Sequence, residues 1–303
     1  MSIKIVKKGL SDSIQDRGRY GYQHLGIQPS GCMDIISAWL GNYILQNDLN
    51  APIFELHFPS SQFLFDRDYT ICITGANFVP LINEKSIELN TPIQVKQNDI
   101  LSMLQPIEGR TAYLAIQGLL SEPAWLQSNS YTGKILEKEQ AIDFKVSHLP
   151  SGHNQVLTKD LIEKVHAQVF DHQAPIRFLP GPAWKDLDEH SLSSIVNDTF
   201  TISPQANRMG FNLSGPKLTL NNPNAYLSSA VTRGSLQLLP NGNLIVLMAD
   251  HQTIGGYANL GQIILVDLPR FAQMKSGQPF QFSLTNLGMA HQLYHNIYEQ
   301  FKY

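Results

Sequence analysis

Cysteine is nearly missing: Cys32 and Cys72 are the two thiols in 303 residues. That is too few for a disulfide scaffold or a four-cysteine zinc site. Charge is scarce as well, since Asp, Glu, Lys and Arg together make up 16% of the chain, against roughly 25% for an average soluble domain. The 22 Lys and Arg face 25 Asp and Glu, a net charge of −3, so the basic surplus of a nucleic-acid binder is absent. No apolar run approaches the ~20 residues that span a bilayer. The opening Met1-Ser2-Ile3-Lys4-Ile5-Val6-Lys7-Lys8 alternates apolar and basic residues and has no secretory hydrophobic region. A hydrophobic content of 43% excludes disorder. The expectation that remains is a cytoplasmic globular protein of about two domains.

What the chain does hold is turn residues, 21 Gly and 17 Pro, which suit many short strands. Runs rich in β-branched and aromatic residues at 3–6, 53–58, 62–65, 69–74, 93–95, 100–104 and 111–116 read as strands of a first half. Those at 176–179, 199–203, 235–239, 244–248, 261–266 and 280–284 read as strands of a second. The run Leu244-Ile245-Val246-Leu247-Met248 is apolar throughout, so both its faces should be covered. Helices are expected at 34–45, at 268–275 with Asp267 as cap and Pro269 in the first turn, and at 287–301 with Thr285 or Asn286 as cap. The fold class expected is mainly β, closed or sandwiched, with a few peripheral helices. A segment near 150–172 opens with Pro150-Ser151-Gly152 and carries an amphipathic stretch around Leu161, Ile162 and Val165. Read as a connection, it gives an N-terminal lobe over 1–150 and a C-terminal lobe over 173–303 that ends in the last helix. Ser13-Ile14-Gln15 before Arg19-Tyr20-Gly21-Tyr22 is echoed by Ser203-Pro204-Gln205 before Arg208-Met209-Gly210-Phe211. Two related lobes would produce that order, and so would chance.

Sharp catalytic motifs are missing. Gly133-Lys134 lacks the remainder of a phosphate-binding loop, and neither a Gly-x-Ser-x-Gly elbow nor a strand followed by Gly-x-Gly-x-x-Gly occurs. His291 and His295, four apart on the last helix, could chelate a metal, but the spacing lacks the Glu of a metalloprotease and reads better as a solvated flank. Cys32, ahead of a helix start, reads better as a small turn residue than as a nucleophile. Four clusters instead pack polar residues among glycines, where backbone can approach a ligand closely. They are 15–34 with Gln15, Asp16, Arg17, Arg19, His24 and Asp34; 73–77 with Thr74, Gly75 and Ala76; 203–210 with Gln205, Asn207 and Arg208; and 250–257 with Asp250, His251, Thr253, Gly255, Gly256 and Tyr257. Asp or Asn beside Gly often only closes a turn, and Arg near Asp is often a structural pair. Four such clusters in one low-charge chain nevertheless point to a site.

Taken together the motifs resemble one family. Ser-Ile-Gln-Asp-Arg-Gly-Arg at 13–19, Gly-Tyr-Gln-His-Leu-Gly-Ile at 21–27 and Pro-Ser-Gly-Cys-Met-Asp at 29–34 are similar to its N-terminal signature. Ile-Thr-Gly-Ala at 73–76, Leu-Pro-Gly-Pro at 179–182, Ser-Pro-Gln-Ala-Asn-Arg-Met-Gly at 203–210 and Asp-His-Gln-Thr-Ile-Gly-Gly-Tyr at 250–257 follow in its order. This is the biotin-dependent carboxyltransferase family, also called allophanate hydrolase subunit 2. The resemblance implies two cyclophilin-like β-barrel lobes. It also implies the C subunit of an ATP-dependent 5-oxoprolinase, which opens 5-oxo-L-proline to L-glutamate in a complex with a B subunit and an A subunit. Two other roles stay open within the family: a carboxyltransferase served by biotin carried on another chain, and a non-catalytic Kip-type regulator that binds a kinase inhibitor. For the hydrolase, Arg17, Arg19 and Arg208 would hold phosphate or carboxylate oxygens. Gly75-Ala76 and Gly255-Gly256 would stabilise developing oxyanion charge. Asp16, Asp34 and Asp250 would serve proton transfer or a magnesium ion accompanying ATP, and His251 would be a general base. Gln15, His24, Thr74, Gln205, Asn207, Thr253 and Tyr257 complete the expected binding set. The chain departs from the family where Cys32 replaces a usual Ala, where 126–134 is short and glycine-poor, and where Ala258 follows Tyr257 in place of Pro.

Overall fold

The computed structural model describes residues 2–130, 133–145, 159–222 and 226–301; the turn expected at Pro150-Ser151-Gly152 lies outside them. The chain divides into two compact units, one of Met1–Arg19 and Ser30–Ala167, the other of Tyr20–Pro29 and Gln168–Tyr303. The architecture is mainly β with five α-helices among the described residues, as the short apolar runs require. No helix among the described residues is long and apolar enough to cross a membrane.

The first unit contains β1 (Ser2–Lys7), β2 (Ser13–Gln15), α1 (Ile35–Ile44), β3 (Ile53–His57), β4 (Gln62–Phe65), β5 (Tyr69–Asn77), β6 (Pro80–Ile82), β7 (Lys85–Ser86), β8 (Ile93–Val95), β9 (Ile100–Met103), β10 (Glu108–Ile116), β11 (Leu119–Leu120) and β12 (Ala141–Lys145). They form a seven-stranded sheet in the order β11-β12-β1-β4-β9-β6-β7 and a five-stranded sheet in the order β2-β3-β10-β5-β8. Period-two alternation sends Ile3 and Ile5 of β1 and Phe63 and Phe65 of β4 to one face of the larger sheet. There they share one core with Phe54 and Leu56 of β3, Ile71 and Ile73 of β5 and Leu114 of β10. Each such side chain contributes about 1.5–3 kcal/mol by leaving water. Helix α1 packs on β5 and β10. It is buried nearly all round, from Ile36 through Asn42. Its N-terminus is closed by Asp34, whose Oδ1 accepts from the Ser37 N–H at 3.0 Å.

Helix α2 (Lys159–Phe170) follows, and the second unit then contains β13 (Ile176–Pro180), α3 (Glu189–Asn197), β14 (Phe200–Ile202), β15 (Gly210–Ser214), β16 (Ser229–Ala230), β17 (Ser235–Leu238), β18 (Leu244–Leu247), β19 (Ile254–Gly255), β20 (Ala258–Ile263), α4 (Leu268–Gln273), β21 (Pro279–Phe280), β22 (Phe282–Leu284) and α5 (Leu287–Glu299). Eight strands form one sheet in the order β21-β14-β15-β18-β17-β20-β13-β22, and β16 and β19 form a separate ribbon. The strands at its two ends, β21 and β22, are consecutive in the chain with Gln281 alone between them. A sheet whose first and last members are one residue apart has to curl back on itself, and the result is a nearly closed barrel. The expected single strand 280–284 is thereby split between both edges. Phe178, Phe200, Phe211, Phe271, Phe280 and Phe282 fill the interior, with ring centroids of neighbouring pairs 5.1–6.3 Å apart.

Two helix ends differ from expectation. Asp267 occupies the cap position of α4 without a side-chain capping bond. Its carboxylate is instead taken by Arg177, through backbone N–H, Nε and Nη2, and by Arg270 at 3.2 Å. Helix α3 lies where no helix was expected, although Asp188 caps it by accepting from the Ser191 N–H at 2.7 Å. At α5 the choice between two caps falls on Asn286, which accepts from the Met289 N–H at 2.9 Å. Strand β20 starts three residues before the expected 261 and ends three before the expected 266, because the chain turns toward α4 directly after Ile263, the Asp267 N–H donating to Ile264 O at 3.0 Å.

Candidate functional site

In the second unit the apolar strand β18 ends at Leu247, and the chain that follows runs beside the turn preceding β15. The Met248 N–H donates to Met209 O at 3.0 Å and the Asp250 N–H to Arg208 O at 2.8 Å. Side chains repeat the pairing: Arg208 Nε and Nη2 donate to Asp250 Oδ2 and Oδ1, each at 2.9 Å. With the side chains 17% and 5% exposed, this is a bidentate pair largely withdrawn from water. Gln28 Nε2 donates to the Asp250 carbonyl at 2.9 Å and fixes the same residue from a third direction.

His251 is buried beside this pair. Its Nδ1 lies 2.6 Å from the carbonyl oxygen of Gln252, which can only accept, so Nδ1 carries the proton and Nε2 holds the lone pair. Burial lowers the imidazole pKa below its ordinary value and the nearby Arg233 charge lowers it further, while the Gln252 carbonyl and the Asp250 carboxylate oppose the shift. A neutral ring with an unprotonated Nε2 is the form a proton acceptor needs. Arg233, which sequence reasoning passed over, is thus part of this cluster electrostatically.

The other expected residues of this unit shape the surroundings. Asn207 Oδ1 accepts from the Met209 N–H at 2.8 Å and so braces the turn that presents Arg208. Gln205 is exposed on that turn, and His24 is exposed in a single helical turn, Gln23–Leu25. Thr253 accepts through its carbonyl from the Val231 N–H at 3.1 Å, and Gly255 pairs with Ser229 in the β16–β19 ribbon. Gly256 and Tyr257 are exposed beyond it.

The first unit gathers a second group of expected residues. The Asp16 carboxylate accepts from the Gly18 N–H, the Ser128 and Ser130 hydroxyls and the Asn129 N–H, at 2.8, 2.7, 2.8 and 2.6 Å. Arg19 is buried and donates to the carbonyls of Trp125, Ser128 and Ser130, with its guanidinium 4.4 Å over the Trp125 ring. Asp16 and Arg19 therefore clamp the 125–130 loop from both sides. Asp34 accepts from Ser37 N and Oγ, and its own N–H donates to the Tyr113 hydroxyl at 2.7 Å. Gln15 Nε2 donates to Ser13 Oγ at 2.8 Å inside the core. Arg17 is exposed and has no hydrogen bond or ion pair among the described residues. The strand expected at 69–74 would end at Thr74, with Gly75 and Ala76 beyond it. They lie inside β5, which continues to Asn77 across a register shift opposite β10, with Gly75 at a φ of 77°. Thr74 Oγ1 donates to Ser37 O at 2.6 Å, which ties β5 to α1.

The chain's own geometry bears on magnesium. Asp16 is saturated by four protein donors, Asp34 by the cap, and Asp250 by Arg208, and among the described residues no three His, Cys, Asp or Glu side chains converge on one point. These carboxylates do not fit a magnesium ion. Cys32 and Cys72 are both buried, and burial drives the Cys72 thiol pKa well above its usual range. His291 and His295 are exposed on α5, and His295 pairs with Glu299. Sequence reading also missed Glu55, a fully buried carboxylate that accepts from the Met33 N–H at 2.7 Å and the Tyr113 hydroxyl at 2.9 Å. The signal was a charge in the apolar run Ile53-Phe54-Glu55-Leu56.

Known proteins place this arrangement. Residues 25–284 match the family described as carboxyltransferase domain, subdomain A and B. The chain is 30% identical over 284 residues to a protein named as the C subunit of 5-oxoprolinase from Escherichia coli strain K12, covering 92% of this chain and 90% of that one. It is also 30% identical to the protein of the same name from Haemophilus influenzae, covering 93% and 90%. Among solved structures, the Kluyveromyces lactis urea carboxylase superposes with a TM-score of 0.88 at 25% identity, over 99% of this chain and 29% of that one. A family match across most of the length, supported by relatives alike from end to end, settles the grouping: the chain belongs to the carboxyltransferase domain family, subdomains A and B.

Proposed function

We propose that this chain is the C subunit of a cytoplasmic, ATP-dependent 5-oxoprolinase complex that opens 5-oxo-L-proline to L-glutamate with partner A and B subunits. The observation that carries the reading is the buried Arg208–Asp250–His251 cluster, found in a chain of the same extent as relatives named as C subunits of 5-oxoprolinase. An unactivated five-membered lactam resists water. ATP, when bound, supplies the activation that makes its carbonyl a better electrophile. This chain's own contribution is to a proton: His251 Nε2 accepts it from the attacking water, and the neutral ring is held in that tautomer by the Gln252 carbonyl. The oxygen of that water joins the carbonyl carbon, the C–N bond breaks, and the ring nitrogen takes the proton back from His251 Nε2 and leaves as the free amine of glutamate. Arg208 and Asp250 are positioning residues that hold the segment carrying His251. ATP and magnesium remain requirements of the complex, and no step on this chain is routed through them, since Asp16, Asp34 and Asp250 are already occupied.

The test is to purify the chain in complex with A and B subunits of the 5-oxoprolinase type and to measure ADP and L-glutamate formed from ATP and 5-oxo-L-proline. His251→Asn should lower kcat by at least about a hundredfold, the usual contribution of a general base. Full activity of that variant would overturn the assignment. A second reading, carboxyl transfer from biotin carried on another chain, is favoured by the superposition on a urea carboxylase. Turnover with carboxybiotin and none with 5-oxo-L-proline would establish it instead. Tight binding to the B subunit with no turnover of either kind would point to a Kip-type regulator.

A further inference from the structure

Strand β17 carries a polar side chain that the mechanism does not use. Gln237 is 0% exposed, and neither its Nε2 nor its Oε1 has a hydrogen-bond partner among the described residues. Its position in the sheet makes this unusual. The register aligns Leu236 with Val246, and Val246 with Phe211, all buried in the barrel interior. Gln237 is one residue along, opposite Ile245 on one side and Asn259 on the other, so it shares with them the opposite face of the sheet. Ile245 and Asn259 are half-buried there. Gln237 alone is closed off, because the β16–β19 ribbon lies over it: a Cβ built on Gly255 would stand 2.8 Å from Gln237 Nε2 and 3.2 Å from Val231 Cγ1. Asn259 Oδ1, its cross-strand neighbour, is likewise buried and without a partner among the described residues.

A buried amide with both ends unmet costs about 1–3 kcal/mol per group, and folded proteins keep few of them. A carboxamide presents a donor and an acceptor side by side. The partner that satisfies both at once has an acceptor and a donor equally close and held cis, which is the edge of a small cyclic amide or cyclic urea. The cover is light, since each strand of the ribbon has two residues and so little to hold it down. It also carries an apolar side chain, Ile254, 63% exposed.

We propose that Gln237, with Asn259 beside it, is the recognition site for the cis N–H/C=O edge of a small ring, a lactam or a ureido ring, which enters beneath the β16–β19 ribbon. This rests on the functional reading above only for which ring is natural, 5-oxo-L-proline or the biotin head group. The edge itself is fixed by the amide.

The experiment is calorimetric titration of the full chain with 5-oxo-L-proline, with 2-imidazolidinone as the cyclic urea and with N-methyl-2-pyrrolidone, which lacks the N–H. At least one of the first two should bind, and which one identifies the ring. The N-methyl compound should bind at least tenfold more weakly. Gln237→Met should lower affinity for the bound ring at least tenfold without lowering Tm, because the amide it removes has no protein partner. Should that variant not fold, the side-chain amide resonances of Gln237 in the unaltered chain should still shift on adding the ring. Three results would overturn the inference: no binding of either ring, affinity in Gln237→Met within twofold of the unaltered chain, or a crystal structure with only a water between Gln237 and Asn259. Glutamate formation by the complex is a separate readout. If it persists in Gln237→Met with unchanged KM, the inference fails and the hydrolase reading stands. If 2-imidazolidinone binds through Gln237 and the complex forms no glutamate, the hydrolase reading fails and the inference stands.

Discussion

Asp250→Asn keeps the shape of the side chain and removes its charge, leaving the Arg208 guanidinium beside a neutral amide. The pair consists of two charge-assisted bonds, both 2.9 Å, between side chains 17% and 5% exposed. Such bonds contribute about 1.5–3 kcal/mol each, and orphaning one member of a buried pair costs about 3–5 kcal/mol. Water reaches the arginine in part, which places the expected loss at the lower end, about 3 kcal/mol. For a unit of this size that lowers the melting transition by about 6–12 °C. The assay is differential scanning calorimetry of the single variants Asp250→Asn and Arg208→Met and of the double variant. Each single change should destabilise, and the double should recover at least about 1.5 kcal/mol relative to their sum, because neither charge is then left alone. Single-variant losses below about 1 kcal/mol, or additivity within about 0.5 kcal/mol, would refute the claim that this pair fixes the segment bearing His251.

Further outcomes follow from other sites. Asp34→Ala removes the α1 cap and should cost about 1–2 kcal/mol in denaturant unfolding, with Asp34→Ser recovering most of it. Asp16→Ala strands three donors of the 125–130 loop and the Gly18 N–H, and limited proteolysis should cut the loop while the unaltered chain resists; equal resistance would contradict the clamp. Folding lowers the His251 pKa from its ordinary 6.5, so the unfolded chain binds the extra proton first as pH falls. Stability should therefore be full above about pH 6.5 and drop as pH falls toward the lowered value, and His251→Asn should flatten that slope in pH-dependent melting. In the complex, the acid limb of kcat against pH should lie below 6.5 and not at it.

Much of the fold was legible because its cause is local. β-branched runs bounded by Gly, Pro and Asn gave β1, β3, β4, β8 and β9 nearly to the residue, and Asp34 and Asn286 cap where capping chemistry says they should. What stayed hidden depends on distant partners. Asp267 looks like the cap of α4, but Arg177, 90 positions earlier in the chain, outcompetes the backbone for its carboxylate. Thr74-Gly75-Ala76 looks like the end of a strand, but pairing with β10 carries β5 on to Asn77, the register shift falling on β10 between Glu108 and Ala112. Glycine-rich polar clusters looked alike in sequence and divide in structure by what their charges meet.

That division sharpens what scarcity of charge means in this chain. Arg19 and Arg208 follow similar sequence, Ser-x-Gln and then Arg-x-Gly-aromatic. One is used up on three carbonyls and an indole ring, the other on a carboxylate that precedes a neutral histidine. A guanidinium bound to carbonyls holds a loop and can do little else. A guanidinium bound to Asp250 fixes the backbone next to His251, whose ring titrates in the field of Arg233 and Asp250. On the function proposed above, chemistry is concentrated where β18 leaves the barrel of the second unit, and the Asp16–Arg19 cluster of the first unit works as scaffold. If so, Arg19→Lys, which keeps the charge and loses the fork, should loosen the 125–130 loop in hydrogen exchange and leave the pH limb of kcat where it was. A shift of that limb would show that the first unit also tunes the reaction.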